Sequence, residues 1–233
     1  MTQVLFGIVL AADFLMLLVI AISVFFPKSR IWPPPQRDSW QQWVSWTLFT
    51  ITMFGVPLVG VLDFGSLGAG HWSRFIAGGL LFFAGLSIDL WGTKTLTAQQ
   101  SLGEKGKIIT QGPYAYTRNP QYVGFILMYT GIILVTYSLM ALVTGAFLIL
   151  LFLILPFSEE PWLHQQYGAA YAQYCKTVPR FIGTRTIKTV IHKNKPSQQN
   201  TQHPQVRQDN DTALIESGSG LVFQVGDRAI LQV

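Results

Sequence analysis

Two polar clusters in this chain carry residue types that hold a charged small molecule. They are GPYAYTRNPQY at 112–122 and the adjacent acids Glu159 and Glu160. In the first, Gly106 and Gly112 permit tight backbone turns, while Pro113 and Pro120 fix the direction of the chain. Pro120 suits the first turn of a helix, which makes Asn119 its natural cap. Unpaired N–H groups at such a helix start, with Arg118 beside them, attract a carboxylate. The plainer account keeps Arg118 for lipid phosphates and Asn119 for capping alone.

The second cluster suits the opposite charge. Two neighbouring carboxylates at the end of an apolar run are costly to desolvate, so they face water or a cation. A ligand carrying an ammonium or sulfonium group satisfies them. The competing account makes them solvated residues at the start of a new helix, with Ser158 as its cap and Pro161 near its first turn. Beyond them, PWLHQQYGAAYAQYCKTVPRF sets Tyr167, Tyr171 and Tyr174 on one helical face. That spacing favours an interfacial helix over a ligand wall. His164 reads as an exposed polar residue rather than a base. Asp63 reads as a helix end, whereas Asp13 and Asp89 lie within apolar runs, where polar groups of the bundle are their natural partners. No metal-ligand spacing, nucleotide-binding glycine pattern or serine-hydrolase elbow is present, and no metal is expected.

The elements that must position these clusters are membrane helices. Half of the 233 residues are hydrophobic and only 12% are charged, against about 25% in soluble domains. A span needs about 20 apolar residues, and Val4–Phe26, Trp43–Leu62 and Phe75–Gly92 each meet that need. The fourth run, Tyr122–Pro156, would extend about 52 Å as one helix, too long for a core of about 30 Å. Thr136-Tyr137-Ser138 lies near its middle, so a hairpin is expected and five spans in all. All of the 16 lysines and arginines except Arg74 then share one face, which the positive-inside rule makes cytoplasmic. The net charge of +5 is explained by this bias and needs no nucleic acid. The single Cys175 excludes an internal disulfide.

The expected fold is therefore all-α and polytopic, with a cytoplasmic cap around the two clusters. It divides into N-terminal helices (1–103), a core of loop, hairpin and interfacial helix (104–183), a polar linker (184–210) and a tail (211–233). The linker is rich in Gln, Asn, Lys and Thr. The tail alternates enough for a short hairpin.

GPYAYTRNPQYVG, an apolar hairpin and then EEPWLHQQYGAAYAQYCKTVPRFIG together resemble the C-terminal half of the isoprenylcysteine carboxyl methyltransferase and phospholipid methyltransferase family. The resemblance covers about 104–183. It implies an integral-membrane enzyme that uses S-adenosylmethionine at the cytoplasmic face. Carried over by position, Lys107, Ile108, Ile109 and Tyr114 would line the cofactor. Asn119, Pro120, Gln121 and Tyr122 stand where the family has its His/Asn-Pro-x-Tyr, with Arg118 just before. Glu159, with Glu160 beside it, would receive the methionine amino group. Arg118 and Tyr122 are the expected positioning residues, and no catalytic residue is assigned. Eukaryotic members have a histidine where this chain has Asn119. They also place an arginine four residues before the first glutamate to meet the substrate carboxylate, and here that position is Leu155.

The expected reaction moves a methyl group to a carboxylate of isoprenylcysteine type or to another lipophilic acceptor entering from the bilayer. Membrane lipids surround the protein, in the inner membrane of a bacterium or the endoplasmic reticulum of a eukaryote. The competing enzyme reading is an NADPH-dependent reductase of sterol type, with a similar hairpin and a related basic-proline-tyrosine segment. A non-enzymatic scaffold that recruits partners through its tail is the third.

Overall fold

A computed structural model describes residues 1–96, 108–183 and 186. Lys107, the 184–210 linker apart from Thr186, and the 211–233 tail lie outside the described residues. Within them the regular structure is helical: α1 (Thr2–Phe25), α2 (Trp40–Leu62), α3 (Ser73–Thr95), α4 (Pro120–Thr136) and α5 (Leu139–Thr177). Helices α1, α2, α3 and α5 are long and apolar enough to cross a membrane, and α4 is a shorter apolar helix. The 17 residues of α4 rise about 26 Å, nearly the depth of a bilayer core. Phe14, Leu18, Phe54, Leu80 and Phe83 are exposed, an apolar surface suited to lipid rather than water.

The hairpin turns where the sequence places it. Helix α4 ends at Thr136, Tyr137 takes a left-handed φ of 47°, and Ser138 caps α5 by accepting from the Ala141 N–H. The second arm differs from expectation. It is a helical stretch of 39 residues, running without a break through Pro156, Glu159, Glu160 and Pro161. Ser158 begins no helix, because its hydroxyl donates to the Leu155 carbonyl at 2.8 Å. Neighbouring helices sustain a span where proline removes one backbone bond. The break comes at Gly168 instead, with φ 52° and ψ −125°, a conformation that disfavours any side chain. The crossing part of α5, about 20 residues, is used up before Glu159.

Helices α3 and α4 lie in backbone contact. A Cβ on Gly78 would stand 2.7 Å from the Gly131 carbonyl, and one on Gly124 would stand 2.7 Å from the Gly85 carbonyl. Such small-residue interfaces let membrane helices approach without a hydrophobic driving force. The main core joins α1, α2, α4 and α5 around Met16, Ile20, Val56, Leu148, Leu151 and Phe152. Leu155, at the position of the family's arginine, is fully buried in this core.

Asp63 is the residue after α2, as expected. Asp13 and Asp89 differ from expectation: neither carboxylate oxygen of Asp13, and not Oδ1 of Asp89, has a hydrogen-bond partner. Ser45 Oγ has no partner among the described residues either, although several buried helix hydroxyls donate to their own backbones. Thr52 in α2, for example, donates to the Phe49 carbonyl.

Candidate cofactor site

Because the hairpin turns back on itself, the start of α4 and the far part of α5 end up side by side. A cavity opens between them, closed on a third side by the loop joining α1 to α2. Ile108, Ile109, Tyr114, Arg118, Asn119, Pro120, Gln121, Tyr122 and Glu159 all line it. Thus one wall gathers nine of the residues singled out from the sequence.

Glu159 is the centre of its polar chemistry. Its Oε1 accepts from the Trp32 indole N–H at 2.7 Å and from the Tyr122 hydroxyl. Both donors use the same oxygen, and Oε2 has no hydrogen bond among the described residues. Among the described residues no ion pair reaches Glu159 either; Arg118 and Arg180 go to its neighbour. Glu160 does not line the cavity. It pairs with Arg118 at 3.0 Å, while Arg180 forks onto it at 2.8 and 2.6 Å. This bidentate geometry is the strong form of the interaction. The carboxylate beside Arg180 holds that guanidinium charged, above its ordinary range. Glu160 therefore serves to fix Arg118 rather than to face a ligand.

Arg118 is held by Cys175 Sγ at 2.7 Å as well as by Glu160. Its Nε is buried without a partner. The loop carrying it docks on the segment after α5: the Arg118 N–H donates to the Pro179 carbonyl at 2.9 Å, and Thr117 Oγ1 donates to the Arg180 carbonyl at 3.0 Å. Asn119 joins this docking and does not cap. Its Nδ2 donates to the Arg180 carbonyl at 2.9 Å, and α4 has no side-chain cap. The expected cap is lost because the carbonyl of Arg180 competes for the same side chain. In α4's first turn Pro120 has no N–H and the Val123 N–H donates to the Asn119 carbonyl at 3.1 Å, so the amides without a side-chain cap are those of Gln121 and Tyr122.

Aromatic residues make the rest of the wall. Tyr171 and Tyr174 are buried, and with Tyr167 they line the cavity. The three tyrosines line the cavity, although their spacing favoured an interfacial face, and the helix breaks at Gly168 between Tyr167 and Tyr171. The Tyr174 hydroxyl donates to the Tyr114 carbonyl at 2.7 Å. Burial pushes the Tyr114 phenol above its ordinary range, with the charges of Tyr174, Glu159 and Asp89 adding to the effect. Tyr114 is thus a neutral donor. His164 is exposed, packed edge-on against Tyr171. Sequence reasoning missed Trp32, Pro33, Leu96, Trp162 and Leu163 in the lining, and Arg180 behind it.

The arrangement has an acid with one unused oxygen, a guanidinium with one unused N–H, an uncapped helix start and a wall of rings. Those features accommodate a zwitterionic amino acid attached to a cationic or planar group, which is the chemistry of S-adenosylmethionine. Residues 73–170 match the phospholipid methyltransferase family. The resemblance to the integral-membrane methyltransferases is thus borne out over that stretch, which holds α3, the hairpin and both polar clusters. This match supports a membrane methyltransferase. Steroid 5-alpha-reductase DET2 of Solanum lycopersicum is also similar, with 28% identity over 111 residues, 48% of this chain and 43% of that protein. The chain therefore spans less than half the length of this curated relative. No solved structure matches.

Proposed function

We propose that this protein is an integral-membrane methyltransferase that takes its methyl group from S-adenosylmethionine and gives it to a lipophilic acceptor of isoprenylcysteine type. The observation that carries the reading is that Glu159, whose Oε2 has no hydrogen bond among the described residues, lines the same aromatic-walled cavity as Arg118 and the start of α4. Glu159 would receive the amino group of the methyl donor. Arg118 and the first-turn amides of α4 would receive its carboxylate. Tyrosine and tryptophan faces would attract the sulfonium. When bound, the donor supplies a methyl group on a positively charged sulfur, already an activated leaving group. The chain's own work is then to align the two reactants and exclude water.

Among the described residues the cavity lining contains no histidine, and burial keeps Tyr114 protonated. An acceptor that arrives ionised suits this site, which favours a carboxylate over an amine. Leu155 lies in the core, so the acceptor's carboxylate is held elsewhere than in the family's arginine-bearing members. An apolar tail would enter from the bilayer, with the site on the cytoplasmic side.

The tomato match favours a second reading, a membrane reductase using NADPH. Against it, Arg118 is the only basic residue lining the cavity among the described residues, and Glu160 already engages it. Three phosphates call for more. Calorimetric titration of the full chain with each nucleotide separates the readings. Binding of S-adenosylmethionine with no binding of NADPH is the expected result, and the reverse would overturn it.

A further inference from the structure

Trp32 lies outside the stretch that matches the family, in the loop after α1, yet it is one of the two donors to Glu159. Its own position is strongly held. Ser23 Oγ, on the last turns of α1, accepts from the Ile31 N–H and the Trp32 N–H, each at 3.0 Å, while donating to the Val19 carbonyl at 2.8 Å. One hydroxyl thus ties a three-residue strap to the helix end. The Trp32 ring is 7% exposed and stacks on Phe49 at 6.3 Å; Phe49 meets Phe152 at 5.8 Å, and Phe152 stacks on Tyr122 at 5.8 Å. Both donors to Glu159 are therefore set by a single run of rings crossing from the first helices to the hairpin.

The two donors differ in kind. A tyrosine hydroxyl donates or accepts, whereas an indole N–H only donates. An N–H fixed at 2.7 Å from Oε1 therefore favours the ionised carboxyl and disfavours the protonated one. It also occupies Oε1, which leaves Oε2 without a hydrogen bond among the described residues.

We propose that Trp32 is a positioning residue for Glu159, and that the Ile31–Pro33 strap thereby sets the affinity of the cavity for a cationic ligand. The identity of that ligand rests on the reading above; the effect on Glu159 does not. The N-terminal helices are then part of the site and not merely its anchor.

The test uses the full chain in lipid nanodiscs and two variants. Trp32→Phe keeps a ring against Phe49 and removes the N–H. Ser23→Ala leaves the cavity wall untouched and releases the strap. Two quantities are read: affinity for S-adenosylmethionine by calorimetry, and the pH at which Glu159 gains its proton, from the carboxyl band in difference infrared spectra, assigned by its disappearance in Glu159→Gln. In Trp32→Phe the affinity should fall about tenfold, the loss of one hydrogen bond to a charged group, and the infrared midpoint should move to higher pH. Ser23→Ala should move both the same way by less, and it carries the test should Trp32→Phe fail to fold. An unmoved infrared midpoint in the folded variants overturns the proposal, whatever the calorimetry shows. If the wild type ignores S-adenosylmethionine while the midpoint still moves, the methyl-donor reading falls and the role of Trp32 stands.

Discussion

The two ends of the helical hairpin use the same residue types to opposite effect. At the turn, Asp63 Oδ2 accepts from Ser138 Oγ at 2.6 Å, Ser66 Oγ at 2.7 Å and the Met140 N–H at 3.1 Å. Arg74 beside it is enclosed by Phe64, Phe75 and Tyr137, with its guanidinium 4.7 to 5.3 Å from their centroids. The acid there gathers donors from both loops, and the cation is packed in rings. At the open end, Glu159 keeps one oxygen unused and Arg118 keeps a buried Nε without a partner. Buried polar groups are ordinarily satisfied. At the turn the carboxylate is satisfied and the guanidinium, its Nε and Nη1 buried without hydrogen bonds among the described residues, rests on rings; at the open end the carboxylate too keeps an oxygen without a hydrogen bond.

That contrast is broken or sharpened by exchanging a carboxylate for an amide at each end. Glu159→Gln should weaken S-adenosylmethionine binding about a hundredfold, the loss of a charge-assisted contact in a desolvated site. Its thermal midpoint should change little, because the amide oxygen still accepts from Trp32 and Tyr122. Calorimetry and a melting curve on the same sample measure both. Equal binding by variant and wild type would show that the open end is not a cation site, and the contrast would fail.

A smaller effect is expected behind the wall. Arg180→Leu removes the bidentate partner of Glu160, leaving that carboxylate to Arg118 alone. The guanidinium should then be drawn from the cavity toward Glu160. Because the pair is partly exposed, with Arg180 at 31%, about a fivefold loss of cofactor affinity is expected, roughly 1 kcal/mol. An unchanged affinity would mean that Cys175 and the docked loop suffice to hold Arg118.

The open end was legible in the sequence where its signals were local. Tyr122–Pro156 is too long for one crossing and has three polar-capable residues at its middle, so the turn at 136–138 and the meeting of Arg118 with the Glu159 region followed from length alone. What escaped depends on tertiary contact. Trp32 and Glu159 are 127 residues apart, and nothing in WPPP announces a partner for the indole. Ser158 and Pro161 suggested the start of a new helix after Pro156, but packing within a bundle overrides the local cost of proline. Asn119 has the type and place of a cap, and only the arrival of the Arg180 carbonyl redirects it. Tyr167, Tyr171 and Tyr174 were correctly seen as one face, yet which way that face points is decided by the backbone at Gly168.

The smallest effect belongs to the turn, and it tests whether Asp63 acts on stability alone. Hydrogen bonding by Ser138, with Ser66 and the Met140 amide adding to it against a desolvation cost, lowers the Asp63 carboxyl below its ordinary range. A carboxyl lowered on folding contributes stability that is fully present above its unfolded value, near 4, and that is lost as pH falls through the lower folded value. Asp63→Asn should therefore destabilise the protein by about 1 kcal/mol at neutral pH, the scale of a net hydrogen bond. The difference between wild type and variant should shrink once the pH drops below about 4. Binding of S-adenosylmethionine, measured at neutral pH, should be the same in both. If Asp63→Asn instead weakened binding as much as it lowered the melting temperature, the turn would be coupled to the cavity through α4 and α5, and the two ends would have to be treated as one cooperative unit.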